Sequence, residues 1–187
     1  GVLNHYRGVT NRLLWMWDEL GFVKEDTFLQ KTPTCFDVSV WELFLPIIRG
    51  AKLVILAPDM HKDVDVLMKT IIDHRVSVIH FVPSMLYAFL ANPMVSRCSS
   101  LRMVCTSGEA LTRNLQDRLF SVMQDCRLVN LYGPTEASVD VSYWECKDNI
   151  NMINIPIGRP IANIQLYVLG NKKELLPVGV SGEIYIG

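Results

Sequence analysis

Apolar residues in this chain arrive in two alternating rhythms. Unbroken runs of strand length are TFLQ within DTFLQKTP, AKLVILAP, VSVIHFVP, SLRMVCTSG and CRLVNLYG. Between them, apolar residues recur at helical spacing in RGVTNRLLWMWDELGF, SVWELFLPIIRG, DVDVLMKTIIDHR, SMLYAFLANP and LTRNLQDRLFSVM. Gly21 and Gly50 are placed to end the first two helices, and Asn or Thr stands near the start of the first. Asp63 is placed to cap or charge the start of the third. Continuous apolar strands alternating with helices imply a largely parallel sheet covered on both faces. After Ser138 the rhythm changes. VDVSYWEC, NIQLYVLG and GEIYIG read as strands joined by Pro- and Gly-rich turns, so residues 141–187 are expected to form a β-rich portion beside an α/β sheet region over 1–140.

Three of the parallel strands end in polar or turn-forming residues: VIHFVPS, MVCTSGE and VNLYGPTE. Ligands of open parallel sheets sit outside the carboxyl ends of strands. That rule brings His80, Ser107, Gly108, Glu109, Tyr132, Thr135 and Glu136 to one rim.

Composition narrows the partners. Half of the 187 residues are hydrophobic and the formal net charge is −1, with acids and bases interspersed. This argues against a nucleic-acid or membrane surface held by a basic patch. No apolar run reaches the ~20 residues that cross a bilayer. Five scattered cysteines form no CxxC or Cys/His cluster, which favours reduced thiols in the cytoplasm over a zinc site. The chain begins at GVLNHYRGV and ends in the strand-like GEIYIG, so an internal segment of a longer chain is expected.

YGPTE can be read in two ways. As a plain turn it needs only Gly133 and Pro134. As a ligand site it offers an aromatic face at Tyr132, close backbone approach at Gly133, a donor at Thr135 and a metal-binding carboxylate at Glu136. Asp37 likewise could cap the helix that follows or pair with a substrate ammonium. His80 by itself reads as a core histidine, Trp41 as core, Asp140 as an exposed strand acid, and His5, His61 and His74 as surface residues.

Six stretches then follow in one order: FDVSVWE at 36–42, HFVPSML at 80–86, TSGEAL at 106–111, NLYGPTEAS at 130–138, IPIGRPIAN at 155–163 and GEIYIG at 182–187. Together they span the chain, which resembles the amino-acid adenylation domains of nonribosomal peptide synthetases within the adenylate-forming superfamily. The resemblance implies the central part of one such domain, cut at both ends, and part of its large N-terminal unit. It implies attack of a carboxylate on the α-phosphorus of ATP, with Mg2+, and transfer of the aminoacyl group to the phosphopantetheine thiol of a carrier domain. Condensation domains are further implied partners.

By this resemblance Tyr132 stacks on adenine, Ser107, Gly108 and Glu109 line the base, and Asn130 and Gly133 belong to the same nucleotide-binding segment. Thr135 contacts the α-phosphate and Glu136 ligates magnesium. The resemblance turns Asp37 towards the α-ammonium, because acyl-CoA ligases and luciferases generally lack this Asp. The selecting positions read Asp37, Val38, Trp41, His80, Cys105, Ser107, Leu131, Val139 and Asp140, a string similar to serine-activating domains, with threonine as runner-up. Another acyl- or aryl-acid ligase, or a non-catalytic truncated remnant, are the alternatives. Gly1-Val2 matches the end of the family's phosphate loop. The ribose-binding Asp, the catalytic lysine and the tenth selecting lysine lie outside the sequence, so the segment alone is expected to be inactive. Tyr6 stands where relatives tend to have His before the Arg at position 7.

Overall fold

The computed structural model describes residues 1–147 and 154–187. Residues 148–153, inside the expected β-rich portion, lie outside the described residues. The helices are α1 (Tyr6–Leu20), α2 (Val38–Arg49), α3 (Val64–His74), α4 (Pro83–Ala91) and α5 (Arg113–Val122). The strands are β1 (Thr27–Gln30), β2 (Lys52–Ile55), β3 (Val78–Phe81), β4 (Met103–Thr106), β5 (Arg127–Tyr132), β6 (Ser142–Cys146), β7 (Arg159–Pro160), β8 (Leu166–Leu169) and β9 (Glu183–Ile186). One seven-stranded sheet has the order β2-β1-β3-β4-β5-β6-β7, and β8 pairs with β9 in a second sheet.

The first five strands of the large sheet are parallel. Side chains alternate between its faces, and each face has its own core. Ile79, Phe81, Val104 and Leu128 pack with Leu67, Ile71, Leu86, Phe89, Leu115 and Leu119 of α3, α4 and α5. Val78, Met103, Cys105, Val129 and Leu131 pack with Leu13, Met16, Leu20, Trp41 and Leu45 of α1 and α2. Burial on both faces is why these strands read as unbroken apolar runs.

Helix ends follow the sequence in part. Gly21 and Gly50 adopt left-handed φ of 66° and 71° and stop α1 and α2. Asp63 caps α3, its Oδ1 accepting from the Asp65 and Val66 N–H groups at 3.0 and 3.1 Å. The expected Asn or Thr cap of α1 is not used. The helix starts after His5 with no side-chain cap, and Asn11, inside it, donates instead to the Ala162 carbonyl at 2.8 Å. Asp37 does not cap α2 either, because its own backbone is already helical (φ −64°, ψ −25°) and its side chain makes no cap bond.

The expected boundary at residue 140 falls inside one sheet. The YGPTE turn reverses the chain, so β6 returns antiparallel beside β5, and β7 adds to β6. Only β8 and β9 form a separate antiparallel pair.

Candidate functional site

β3 and β4 pair with His80 opposite Cys105, and β4 and β5 with Thr106 opposite Asn130. The register sets three carboxyl ends side by side. Two cavities open there and share Gly108, Glu109 and Gly133.

The larger, about 520 Å³, is lined by Asp37, Val38, His80, Ser107, Thr135, Val139 and Asp140, together with Lys31, Phe36, His61 and neighbours. His80 shares the sheet face of Val78 and meets the edge of Trp41, ring centroids 6.2 Å apart. His80 Nε2 lies 2.9 Å from Ser107 Oγ. Burial first, then the cations Lys31 and Arg12, hold His80 well below its ordinary pKa, so the ring is neutral. A neutral imidazole has one donor and one acceptor nitrogen. Its Nδ1 and the Trp41 Nε1 are buried with no hydrogen-bond partner among the described residues.

Asp140 is buried rather than exposed, and Arg12 of α1 explains how. Arg12 Nε donates to Asp140 Oδ2 at 3.1 Å, and Nη2 donates to the same oxygen. Burial raises the Asp140 pKa while Arg12 opposes the rise. The chain reaches this position through two left-handed residues, Ser138 (φ 64°) and Val139 (φ 84°). For a β-branched residue that conformation is strained, and such strain persists where its surroundings fix it. Gly133 makes the return fit: a Cβ there would stand 2.5 Å from Asp140 Cα. The close approach it permits is to the chain's own backbone.

Lys31 directly follows β1 and is buried in the same cavity wall, its ammonium 5.3 Å from the Phe81 ring centroid. Behind it, Glu42 is fully buried and accepts from the Lys31 and Thr32 N–H groups at 3.1 and 2.9 Å and from the Thr32 hydroxyl at 2.7 Å. Burial lowers the Lys31 pKa, opposed by Glu42, and raises that of Glu42, opposed by Lys31. Sequence reading passed over Lys31, Glu42 and Arg12, and read His61 as a surface residue, whereas it lines the larger cavity. Only Lys31 carried a signal, a charge at the carboxyl end of a parallel strand.

The smaller cavity, about 340 Å³, is lined by Gly108 to Leu111, Asn130 to Gly133, Ile155 and Ile157. Asn130 and Tyr132 alternate with Leu131, which explains why Leu131 packs on the α1/α2 side while Tyr132 stays 38% exposed. Asn130 Nδ2 donates to the Pro156 carbonyl at 2.9 Å and pins the IPIGRP loop as the facing wall. Glu109 accepts from the Ser84 N–H and hydroxyl, both at 2.9 Å, at the start of α4.

The predicted residues thus divide. Asp37, Val38, His80, Ser107, Val139 and Asp140 meet in the first cavity, while Leu131 lines the second. Trp41 and Cys105 line neither and stand buried behind the wall, where burial pushes the Cys105 thiol up to about 12. Thr135 opens a short 3-10 turn, Thr135–Ala137, at the cavity edge. Glu136 is exposed beside it, lines neither cavity and makes no side-chain bond among the described residues. No group of three or more His, Cys, Asp or Glu residues is placed to hold a metal among the described residues. Magnesium is commonly held by one or two carboxylates plus substrate phosphates, and the free carboxylate of Glu136 fits that use. No helix among the described residues is long and apolar enough to cross a membrane.

Comparison with known proteins bears on the family and the fold. The chain is 45% identical over 187 residues to phosphinothricin tripeptide synthetase PhsB of Streptomyces viridochromogenes, covering all of this chain and 16% of that protein. It is 42% identical over 186 residues to tyrocidine synthase 3 of Brevibacillus parabrevis, covering all of this chain and 3% of the relative. Its segment is therefore a small part of each relative's length. A solved structure of the nonribosomal peptide synthetase FmoA3 (S1046A), bound to α-methyl-L-serine-AMP, superposes with a TM-score of 0.93 at 26% identity, covering all of this chain and 22% of that one. The family model for AMP-binding enzymes matches residues 1–187, and the chain belongs to that family.

Proposed function

We propose that this segment is the central part of an adenylation domain that activates serine in the cytoplasm for nonribosomal peptide synthesis. The observation that carries the reading is the pair of joined cavities. One holds an acidic residue, Asp37, and a polar interior of His80, Ser107 and Asp140; the other presents the open face of Tyr132. In the reaction, a serine carboxylate oxygen attacks the α-phosphorus of ATP, the bond to the β-phosphate bridging oxygen breaks, and pyrophosphate leaves. The seryl-adenylate then passes its acyl group to a phosphopantetheine thiol on a carrier domain, releasing AMP.

Asp37 receives the α-ammonium. It is half-buried with no cap bond to compete for it. His80, Ser107 and Asp140 surround a short hydroxyl, while buried Trp41 fills the volume behind them. A site built to hydrogen-bond a hydroxyl rejects the analogue lacking it, since its own polar groups would be left unpaired. Alanine is then a poor substrate, and threonine is limited by its extra methyl. On the nucleotide side, adenine lies against Tyr132, with Ser107, Gly108, Glu109, Asn130 and Gly133 around it, and the Thr135 hydroxyl donates to the α-phosphate. Glu136 would hold magnesium, which supplies charge neutralisation on the phosphates when bound. The α-methyl-L-serine adenylate named for the FmoA3 structure supports a serine-like occupant.

The test is amino-acid-dependent ATP–pyrophosphate exchange by the complete protein with each proteinogenic amino acid. Highest activity with serine is expected. Highest activity with a large apolar or aromatic amino acid would overturn the substrate while leaving adenylation standing. Exchange driven only by a fatty or aryl acid would favour the ligase alternative, against which Asp37 argues.

A further inference from the structure

Arg12 lies outside every motif that carries the family resemblance and lines neither cavity, yet it grips the selecting positions from behind. It is 1% exposed. Both of its bonds to Asp140 end on Oδ2, one from Nε at 3.1 Å and one from Nη2. Its guanidinium carbon stands 5.5 Å from the Trp41 ring centroid, and its Nη1 lies 2.6 Å from Met16 Sδ. A fork-to-fork pair would occupy both carboxylate oxygens. Here no hydrogen bond reaches Oδ1 among the described residues, although Asp140 lines the cavity. Burying a guanidinium and a carboxylate is costly, and a well-packed apolar pair commonly serves stability as well or better. The arrangement makes sense if one oxygen is kept for a ligand.

We propose that Arg12 is a positioning residue for substrate selection: it fixes Asp140 through Oδ2 so that Oδ1 accepts the hydrogen bond of a substrate side-chain hydroxyl. The inference rests on the hydroxyl-bearing substrate proposed above. The hydroxyl donates and the carboxylate accepts. A substrate without the hydroxyl leaves Oδ1 desolvated and unpaired. The face of Trp41, packed against the same guanidinium, is held by the same group.

The experiment measures pyrophosphate exchange by the complete protein for wild type, Arg12→Lys and Arg12→Gln. Two substrate pairs are compared, serine with alanine and threonine with 2-aminobutyrate, because within each pair only the hydroxyl differs. Arg12→Lys keeps the charge but loses the two-nitrogen grip, so it carries the test if Arg12→Gln does not fold. In the variants KM for the hydroxyl substrate rises with kcat little changed, and the hydroxyl preference in kcat/KM falls about tenfold or more. The alanine and 2-aminobutyrate values stay put. Equal losses for both members of a pair, or an unchanged ratio, overturn the role of Arg12. If wild type prefers serine and the ratio is unchanged in the variants, the substrate reading survives alone. If wild type prefers a large apolar amino acid, the substrate reading fails first and Oδ1 has no hydroxyl to accept.

Discussion

The two joined cavities are built on opposite plans. The larger is finished before any ligand arrives. Lys31 and Glu42 on one side, and Arg12 and Asp140 on the other, are buried charges held by their neighbours, and between them His80 meets Ser107. The smaller is open: Tyr132, which lines it, is 38% exposed, and Glu136, outside both cavities beside Thr135, is exposed without a partner among the described residues. Discrimination among small substrates needs polar groups fixed and desolvated in advance. A nucleotide brings its own large surface and charges, so its site can be open and completed by the ligand and metal.

That contrast is sharpest at Glu136. On the proposed reading, in which Glu136 would hold magnesium on the reacting phosphates, Glu136→Gln in the complete protein should lower exchange roughly a hundredfold, about 3 kcal/mol. Its melting temperature should not change, because the carboxylate makes no side-chain bond among the described residues. A large drop in stability instead would show that the open side is also a structural one.

The next effect belongs to the finished side. His80 is held neutral by burial and by Lys31 and Arg12, so its folded pKa is depressed well below the ordinary value of 6.5. Below that value the unfolded chain takes up a proton that the folded chain excludes. Stability from this group is therefore complete above the unfolded pKa and lost as pH falls, at up to about 1.4 kcal/mol per pH unit. Urea unfolding at stepped pH should show this slope in wild type and a shallower one in His80→Gln. Identical slopes would mean that His80 is not held neutral.

Much of the fold was legible because both sheet faces are covered, so strand runs and helical periods stood out. Asp63 was readable as a cap because the residue and the start of its helix are adjacent. What escaped depends on contacts far apart in sequence. Arg12 meets Asp140 across 128 positions, and Glu109 reaches Ser84 across 25, so neither role has a local signature. Read apart from the family resemblance, which put it among the selecting positions, Asp140 looked like an exposed strand acid, because nothing in the turn announces the left-handed Ser138 and Val139 that swing it inward. Asp37 carried a real ambiguity, since cap and ligand readings use the same carboxylate.

The smallest effect settles that ambiguity. Asp37→Ala should change stability by less than about 0.5 kcal/mol, since no cap bond is lost. A true cap would cost about 1 kcal/mol. In the same variant the KM for the amino acid should rise.

The most direct measurement of the account is a structure of the complete protein with a non-hydrolysable seryl-adenylate. Adenine is expected against Tyr132 between the Gly108–Leu111 segment and the Ile155–Ile157 wall, the α-ammonium on Asp37, and the serine hydroxyl in hydrogen-bond contact with Asp140 Oδ1. An adenine bound in the larger cavity, or a serine side chain directed away from Asp140 and His80, would contradict it.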